Sequence, residues 1–307
     1  MTICPVIISS DKMSLSQFSG DMQVWPVYLS IGNIRKETCC QPTSCAMVLI
    51  GYIPVCKLEC FSKKLQVTEG YQLFHECMCT LLQPLIDAGK NSVDMDCADG
   101  FICTVYPILA AYIADYPKQC LVICCKESAC PQCLVNPKEC GARLFSVLWD
   151  HDTTICVLEE KAWGENPPEF STHSLCLINP FWKDLPHCDI FLGITLDLLH
   201  QLHKGMFKDH IVNWATAAVN GGEEEVNCWF WSMSPHPSLH HFTKGISLTT
   251  QWTGTEHKNM EKVFLSVLAG ATDPAVDELA HALTCIHPFS HFSAFHTKAF
   301  LPYCFLG

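Results

Sequence analysis

The chain is predicted to fold as an α/β protein, with strands side by side near its N-terminus and mainly helical sequence beyond it. Two observations carry the prediction. Short runs rich in β-branched and aromatic residues, each closed by a turn signal, crowd the first 55 residues. From about residue 64 onward, apolar residues recur at helical spacing. A third observation bounds the answer: 307 residues, 49% of them apolar, suffice for one large domain or for a core interrupted by an insertion.

The elements follow in order. VIISSD at 6–11 reads as a short buried strand ending in an acid, and the polar stretch 12–21 as a turn. WPVYLSIGNI at 25–34 is a second strand, and AMVLIGYIPV at 46–55 a third, closed by Pro54. Residues 64–90 read as a helix with Leu73, Cys77, Leu81, Leu82 and Leu85 on one face and Gly89 as its stop. The apolar run 99–117 ends in Asp115, just before Tyr116 and Pro117.

From residue 124 the composition shifts to Cys, Pro and polar residues with weaker periodicity, the start of an inserted subdomain. Three parts are expected: a first core segment over 1–124, the insertion over 125–250, and core helices over 251–307. An amphipathic helix is predicted from about residue 195, with Leu198, Leu199, Leu202, Met206 and Phe207 on its apolar side. The acidic run at 221–227 reads as a solvated loop. A helix from Thr253 shows Met260, Val263, Phe264, Val267 and Leu268 on one face and ends at Gly270; another starts at Asp273-Pro274. The last twenty residues show no pattern, and there are no internal repeats.

Only 16% of residues are charged, and the net charge is −12. This balance argues against a dedicated nucleic-acid-binding domain, which usually carries a basic stripe. It leaves room for a nuclease whose acidic site meets phosphate through bound cations. No basic region precedes a long apolar run, and stretches such as ILAAYIA fall far short of the ~20 residues that span a bilayer. A soluble intracellular protein with no membrane partner is expected. The 22 Cys stand beside two Arg, Arg35 and Arg143. A disulfide scaffold is rejected, because such chains are usually short and secreted and these Cys form no repeating framework.

Seven segments together carry a resemblance: SSDKMSLSQFSGDMQVWPVYLSIGNI at 9–34, LECFSKK at 58–64, ADGFICTVYPILAAYIADYPKQCLV at 98–122, ACPQC at 129–133, NPFWKDLPHCDIF at 179–191, DLLHQLHKGMFKDHIVNW at 197–214, and HHFTKGISLTTQWTGTEHKNMEKVFL at 240–265. In that order they resemble the Plavaka group of cut-and-paste DNA transposases, fungal relatives of the CACTA elements. The resemblance implies a ribonuclease H-like mixed sheet and a DDE site that uses Mg²⁺ or Mn²⁺ for phosphoryl transfer. It also implies transposon-end and target DNA as partners, a homo-oligomer, and work in the nucleus. Family chains extend further at both ends, so a truncated copy is expected.

Mg²⁺ takes oxygen ligands and needs few protein carboxylates, because water and phosphate fill the remaining positions. Three acids from distant parts of the chain can therefore make the site. The resemblance assigns them to Asp11, Asp115 and Glu256, with Asp21 and Glu261 as rivals for the first and third places. Each has a plainer reading: a strand-end Asp serves turns and caps, and a Glu in a first helical turn complements the helix dipole.

Cys130 and Cys133 form C-x-x-C, and His200 and His203 form H-x-x-H on the predicted helix; two such pairs can close a tetrahedral Zn²⁺ site. In relatives such a set staples the insertion, so the zinc would be structural. Among so many Cys such pairs also arise by chance, as at Cys56 and Cys60 or Cys77 and Cys79, and His210, His187 and Cys188 are alternative ligands. His240, His241 and Trp252 are candidates to face DNA, with Lys244 and Lys258 near phosphates; Lys204 and Lys208 are better placed for that. Cys45, Cys79, Cys103 and Cys140 stand where a basic residue would suit the pattern, which weakens phosphate binding. Two readings share this fold: an active DDE core, and a non-catalytic remnant that binds DNA or protein. An unrelated nuclease is a third.

Overall fold

In the computed structural model the described residues are 2–15, 23–97, 99–139, 146–195, 197–237, 239–243, 245–247 and 252–268, with only the backbone described at 198, 199, 201, 202, 265 and 266. Two compact units divide the chain, Met1–Thr195 and Leu196–Gly307, each with its own apolar core.

The first unit is built on a mixed sheet. Strand β1 (Thr2–Ser10) alternates as its sequence requires: Val6, Ile8 and Ser10 are buried, and Ile7 and Ser9 are half-buried on the opposite face. A two-residue strand β2 (Met13–Ser14) lies within the stretch expected as a turn. Strand β3 (Gln23–Ile31) buries Trp25 and Val27. One helical turn, α1 (Lys36–Cys39), leads toward β4 (Val48–Ile53). Helix α2 (Lys63–Asn91) then crosses to β5 (Val93–Asp96) and β6 (Ile102–Ile113). The sheet order is β2-β3-β1-β6-β5, with β4 also paired to β3. β3 is antiparallel to β1 and β4, whereas β6 is parallel to β1 and antiparallel to β5.

Helix α2 covers one face of this sheet, with Phe74 stacked on Trp25 at 5.2 Å. Its fully buried stripe is Phe74, Met78 and Leu82; the expected Cys77, Leu81 and Leu85 form the half-buried margin. Gly89 does not stop the helix, which continues to Asn91 and ends at Ser92, whose φ is 62°. Gly89 answers a packing demand instead. A Cβ there would lie 2.5 Å from Pro186 Cγ and 3.1 Å from the Pro107 carbonyl oxygen.

Helix α3 (Tyr116–Val122), α4 (His151–Ala162), α5 (Pro168–Thr172) and α6 (Ile190–Gly193) complete the unit. They share the core of the sheet. Trp182 is buried and donates its indole N–H to the Val122 carbonyl at 2.7 Å, and Trp149 stacks on Phe191 at 5.5 Å. Every cysteine among the described residues is a free thiol.

The described part of the second unit is mainly helical. Leu198–Val212 is wound as a wide π-type helix and continues into α7 (Asn213–Ala218); α8 (Gly222–Ser232) and α9 (Gly254–Leu268) follow. On the first of these the buried stripe is His203, Phe207 and Ile211, and Met206, expected inside, is 48% exposed. The side chains of Leu198, Leu199 and Leu202 lie outside the described residues. The acidic run is no loop. Glu223, Glu224 and Glu225 form the first turn of α8, exposed as expected, where carboxylates complement the helix dipole. The apolar face predicted on α9 is in place, with Met260, Val263, Phe264 and Leu268 buried and Phe264 packed edge-on to Phe207. Gly270, the helix from Asp273 and the last twenty residues lie outside the described residues.

One buried polar group in the first core has a consequence for stability. The His75 ring is fully buried, with Nε2 2.9 Å from the Leu121 carbonyl oxygen and Nδ1 accepting from the Phe181 N–H at 3.2 Å. These partners call for a neutral ring with the proton on Nε2. Burial holds its pKa down at about 4, partly opposed by the Leu121 hydrogen bond. The unfolded chain takes up this proton near pH 6.5, so the contribution is intact above that pH and is lost as pH falls toward about 4. Urea unfolding is expected to show His75 removing roughly 2–3 kcal/mol of stability between pH 7.5 and 4.5. His75→Gln should be less stable at pH 7.5 but show a shallower acid slope. An unchanged slope would refute the assignment.

Candidate active site

Two expected acids meet because their strands do. β1 and β6 pair in parallel through Ser9↔Ile113, so the chain leaves both strands at the same end of the sheet and places Asp11 and Asp115 there. Two further contacts fix that end. Ser10 Oγ and the buried Tyr112 hydroxyl lie 2.6 Å apart. The Gln119 side-chain amide donates to the carbonyls of Ala114 and Thr195, each at 2.8 Å, which ties down the residue just before Asp115.

Asp115 is the N-cap of α3. Its Oδ1 accepts from the Lys118 backbone N–H at 3.1 Å, while Oδ2 lies 2.9 Å from Lys118 Nζ. The same ammonium is 3.5 Å from Asp11 Oδ1. The two carboxylates thus converge on one cation supplied by the chain. Their side chains are 68% exposed at Asp11 and 23% at Asp115, so one is open to solvent and the other held against the fold. Carboxylate oxygens are the kind of donor that Mg²⁺ takes.

Glu256 belongs to the second unit and has local work. Its carboxylate accepts from the Thr253 N–H at 2.7 Å, and its own N–H donates to Thr253 Oγ1 at 3.3 Å. This reciprocal pair is a capping box at the start of α9. The Thr253 backbone N–H, then its hydroxyl, hold the Glu256 carboxyl below the usual range. Its rival Glu261 is paired with Nδ1 of the buried His203. Asp21, the rival at the first position, lies outside the described residues.

Cys130 and Cys133 are in the first unit, and His200 and His203 in the second. Cys130 Sγ accepts from the Gln132 N–H at 3.4 Å, and the Trp149 indole donates to the Cys130 carbonyl at 2.9 Å. Burial raises the Cys133 thiol pKa, but hydrogen bonds from Val135, Ser146 and Cys130 outweigh it and leave the net direction downward. His200 Nδ1 is 2.7 Å from the Asp197 carboxylate, which also caps the helix by accepting from the His200 N–H at 3.0 Å. Both histidines therefore have Nδ1 on a carboxylate. Among the described residues no three or more His, Cys, Asp or Glu side chains are gathered closely enough to hold an ion by themselves.

The residues expected to face DNA are mostly engaged. Lys208 Nζ lies 4.7 Å from the centre of the Trp252 ring, which also packs against His257. His240 packs edge-on to Phe242, whereas Lys204 and Lys258 are exposed. Lys244 and Cys140 lie outside the described residues. A cavity of about 360 Å³, lined by Gln72, Trp163, Asn179 and Lys183 among others, contains none of the expected site residues.

The family model of the Plavaka transposase matches residues 1–215. The chain belongs to the Plavaka transposase family. No curated protein matches it. The matched stretch of this Plavaka transposase chain includes Asp11, Asp115, Cys130, Cys133, His200 and His203, and it ends before Glu256. The residue that sequence reasoning missed is Lys118. Its signal was available: a lysine three positions after the second acid, in the first turn of a helix.

Three substitutions separate capping from other roles. Asp115→Ala and Glu256→Ala should each lower stability by about 0.5–2 kcal/mol through lost helix caps. Asp115→Asn should cost less than Asp115→Ala, because Asn keeps the cap while both variants lose the ion pair with Lys118. Urea unfolding of the three variants checks this; Asp115→Asn as damaging as Asp115→Ala would contradict the capping role.

Proposed function

We propose that this Plavaka transposase chain is a DDE-type core of ribonuclease H-like fold, acting on transposon-end DNA by metal-dependent phosphoryl transfer. The observation that carries the reading is the convergence of Asp11 and Asp115 on one cation at adjacent ends of parallel strands. The mixed sheet, with both acid-bearing strands side by side, is the framework such a site needs.

When bound there, Mg²⁺ or Mn²⁺ would activate the attacking water or 3′ hydroxyl by favouring loss of its proton, and would stabilise the leaving oxygen. The chain's own part is to hold and expose. Asp115, restrained by the α3 backbone, sets the position, and Asp11 presents an open carboxylate beside it. Glu256 is the proposed third acid. To serve, its carboxylate must leave the Thr253 N–H, and that donor then turns to water. DNA as substrate, a homo-oligomer as the working form and a nuclear site of action belong to the same proposal. No helix among the described residues is long and apolar enough to cross a membrane.

A structural Zn²⁺ on Cys130, Cys133, His200 and His203 is the second part of the reading. The support is local to each pair. Hydrogen bonds favour the thiolate at Cys133, whereas burial disfavours it at Cys130, and a carboxylate on each His Nδ1 leaves Nε2 as the ligating nitrogen. Metal analysis of the purified chain should find one zinc per molecule, lost in Cys130→Ser/Cys133→Ser. A zinc-free native protein would remove the idea.

The alternative is a non-catalytic remnant, and two observations favour it: the ammonium between the two acids and the capping role of Glu256. A strand-transfer assay with terminal-repeat DNA and Mn²⁺ decides between them. An active core should yield joined product that Asp115→Asn reduces at least a hundredfold. A well-folded parent that yields none would establish the remnant reading.

A further inference from the structure

We infer that Lys118 is a tethered counter-ion of the Asp11–Asp115 pair, competing with divalent cations for it and thereby setting the metal affinity of the site. The inference rests on the reading of that pair as a metal site.

Three observations support it. First, Lys118 Nζ is within ion-pair reach of both carboxylates, 2.9 Å from Asp115 Oδ2 and 3.5 Å from Asp11 Oδ1. A divalent ion held by those oxygens would share their space with the ammonium and be repelled by it. Second, the placement is over-determined. The Lys118 backbone N–H already bonds Asp115 Oδ1, so the turn that caps α3 also delivers the side chain to the pair, and that side chain is only 21% exposed.

Third, the lysine breaks a local rule. It is the third residue of α3, after Tyr116 and Pro117, where the helix N-terminus favours an acid and disfavours a cation. The dipole argues against a lysine there; the two carboxylates compensate for it. Without metal, Lys118 offsets the repulsion between two neighbouring acids. For metal to enter, the ammonium must swing out to solvent along its flexible stem.

The test is Mn²⁺ binding by the full chain, read from free Mn²⁺ by electron paramagnetic resonance and from the Mn²⁺-dependent rise in melting temperature. Lys118→Met removes the charge, Lys118→Gln does so with a polar group in case the first variant folds poorly, and Lys118→Arg keeps a cation. The neutral variants should bind Mn²⁺ at least tenfold more tightly than the parent, with a larger rise in melting temperature. Lys118→Arg should behave like the parent. Adding Asp115→Asn to Lys118→Met should remove the gain, and the cap survives because Asn also serves as one.

Equal Mn²⁺ affinity in parent and neutral variants, abolished in each by Asp115→Asn, would overturn the role of Lys118 and leave the metal site standing. Mn²⁺ binding that is absent throughout, or indifferent to Asp115→Asn, would overturn both.

Discussion

The parallel pairing of β1 with β6 is the constraint on which the rest of the first unit depends. Residues far apart in the chain become neighbours only because these strands leave the sheet at the same end. The buried Ser10–Tyr112 contact and the Gln119 amide hold that end rigid. Helix α2 stabilises it from one face through the Trp25–Phe74 stack and the Met78 and Leu82 side chains. A parallel pair needs a long crossover, and α2 belongs to it. Packing, register and the placing of two acids are therefore one problem with one solution.

The carboxylates of this chain do two kinds of work that compete for the same oxygens. Asp115, Asp150, Asp189 and Asp197 all cap helices with a side-chain oxygen, and Glu256 closes a capping box. A cap stabilises by accepting backbone N–H groups; a metal ligand must leave an oxygen free. Asp115 reconciles the two, because Oδ1 faces the helix while Oδ2 faces the cation. His200 and His203 each have a carboxylate on Nδ1, which fixes the ring.

Much of this was legible in the sequence. Strands β1, β3 and β4 announced themselves through β-branched runs closed by turns, and α9 through its 3–4 spacing. Asp11 and Asp115 stood at the ends of apolar runs, so their place at strand ends could be read; that the strands are parallel neighbours could not, because pairing is a long-range choice. The misreadings have physical causes. Gly89 looked like a helix stop because glycine often ends helices, yet here it admits Pro186. The run Glu223–Glu225 looked like loop because it is polar, and polarity alone does not separate a loop from the first turn of a helix. Met206 and Phe207 are adjacent on the helix, and the buried stripe His203, Phe207 and Ile211 runs on the side of Phe207, which leaves Met206 at its edge and 48% exposed.

Lys118 and Glu256 make opposite arguments from the same geometry. Both are the third residue of a helix, three positions after the residue that caps it. Glu256 obeys the local rule: an acid there closes a capping box, and the T-x-x-E spelling of Thr253 to Glu256 accounts for its bonds without any metal. Lys118 violates the rule, and the α3 N-cap Asp115 compensates for it only in part, with Asp11 on the neighbouring strand end as the second partner. A residue that satisfies its local surroundings says little about function, whereas one that opposes them must be held by something else. For Lys118 that something is two carboxylates brought together by the sheet. The acid pair thus accounts for the lysine: two carboxylates brought to one end of the sheet hold a cation of the chain's own.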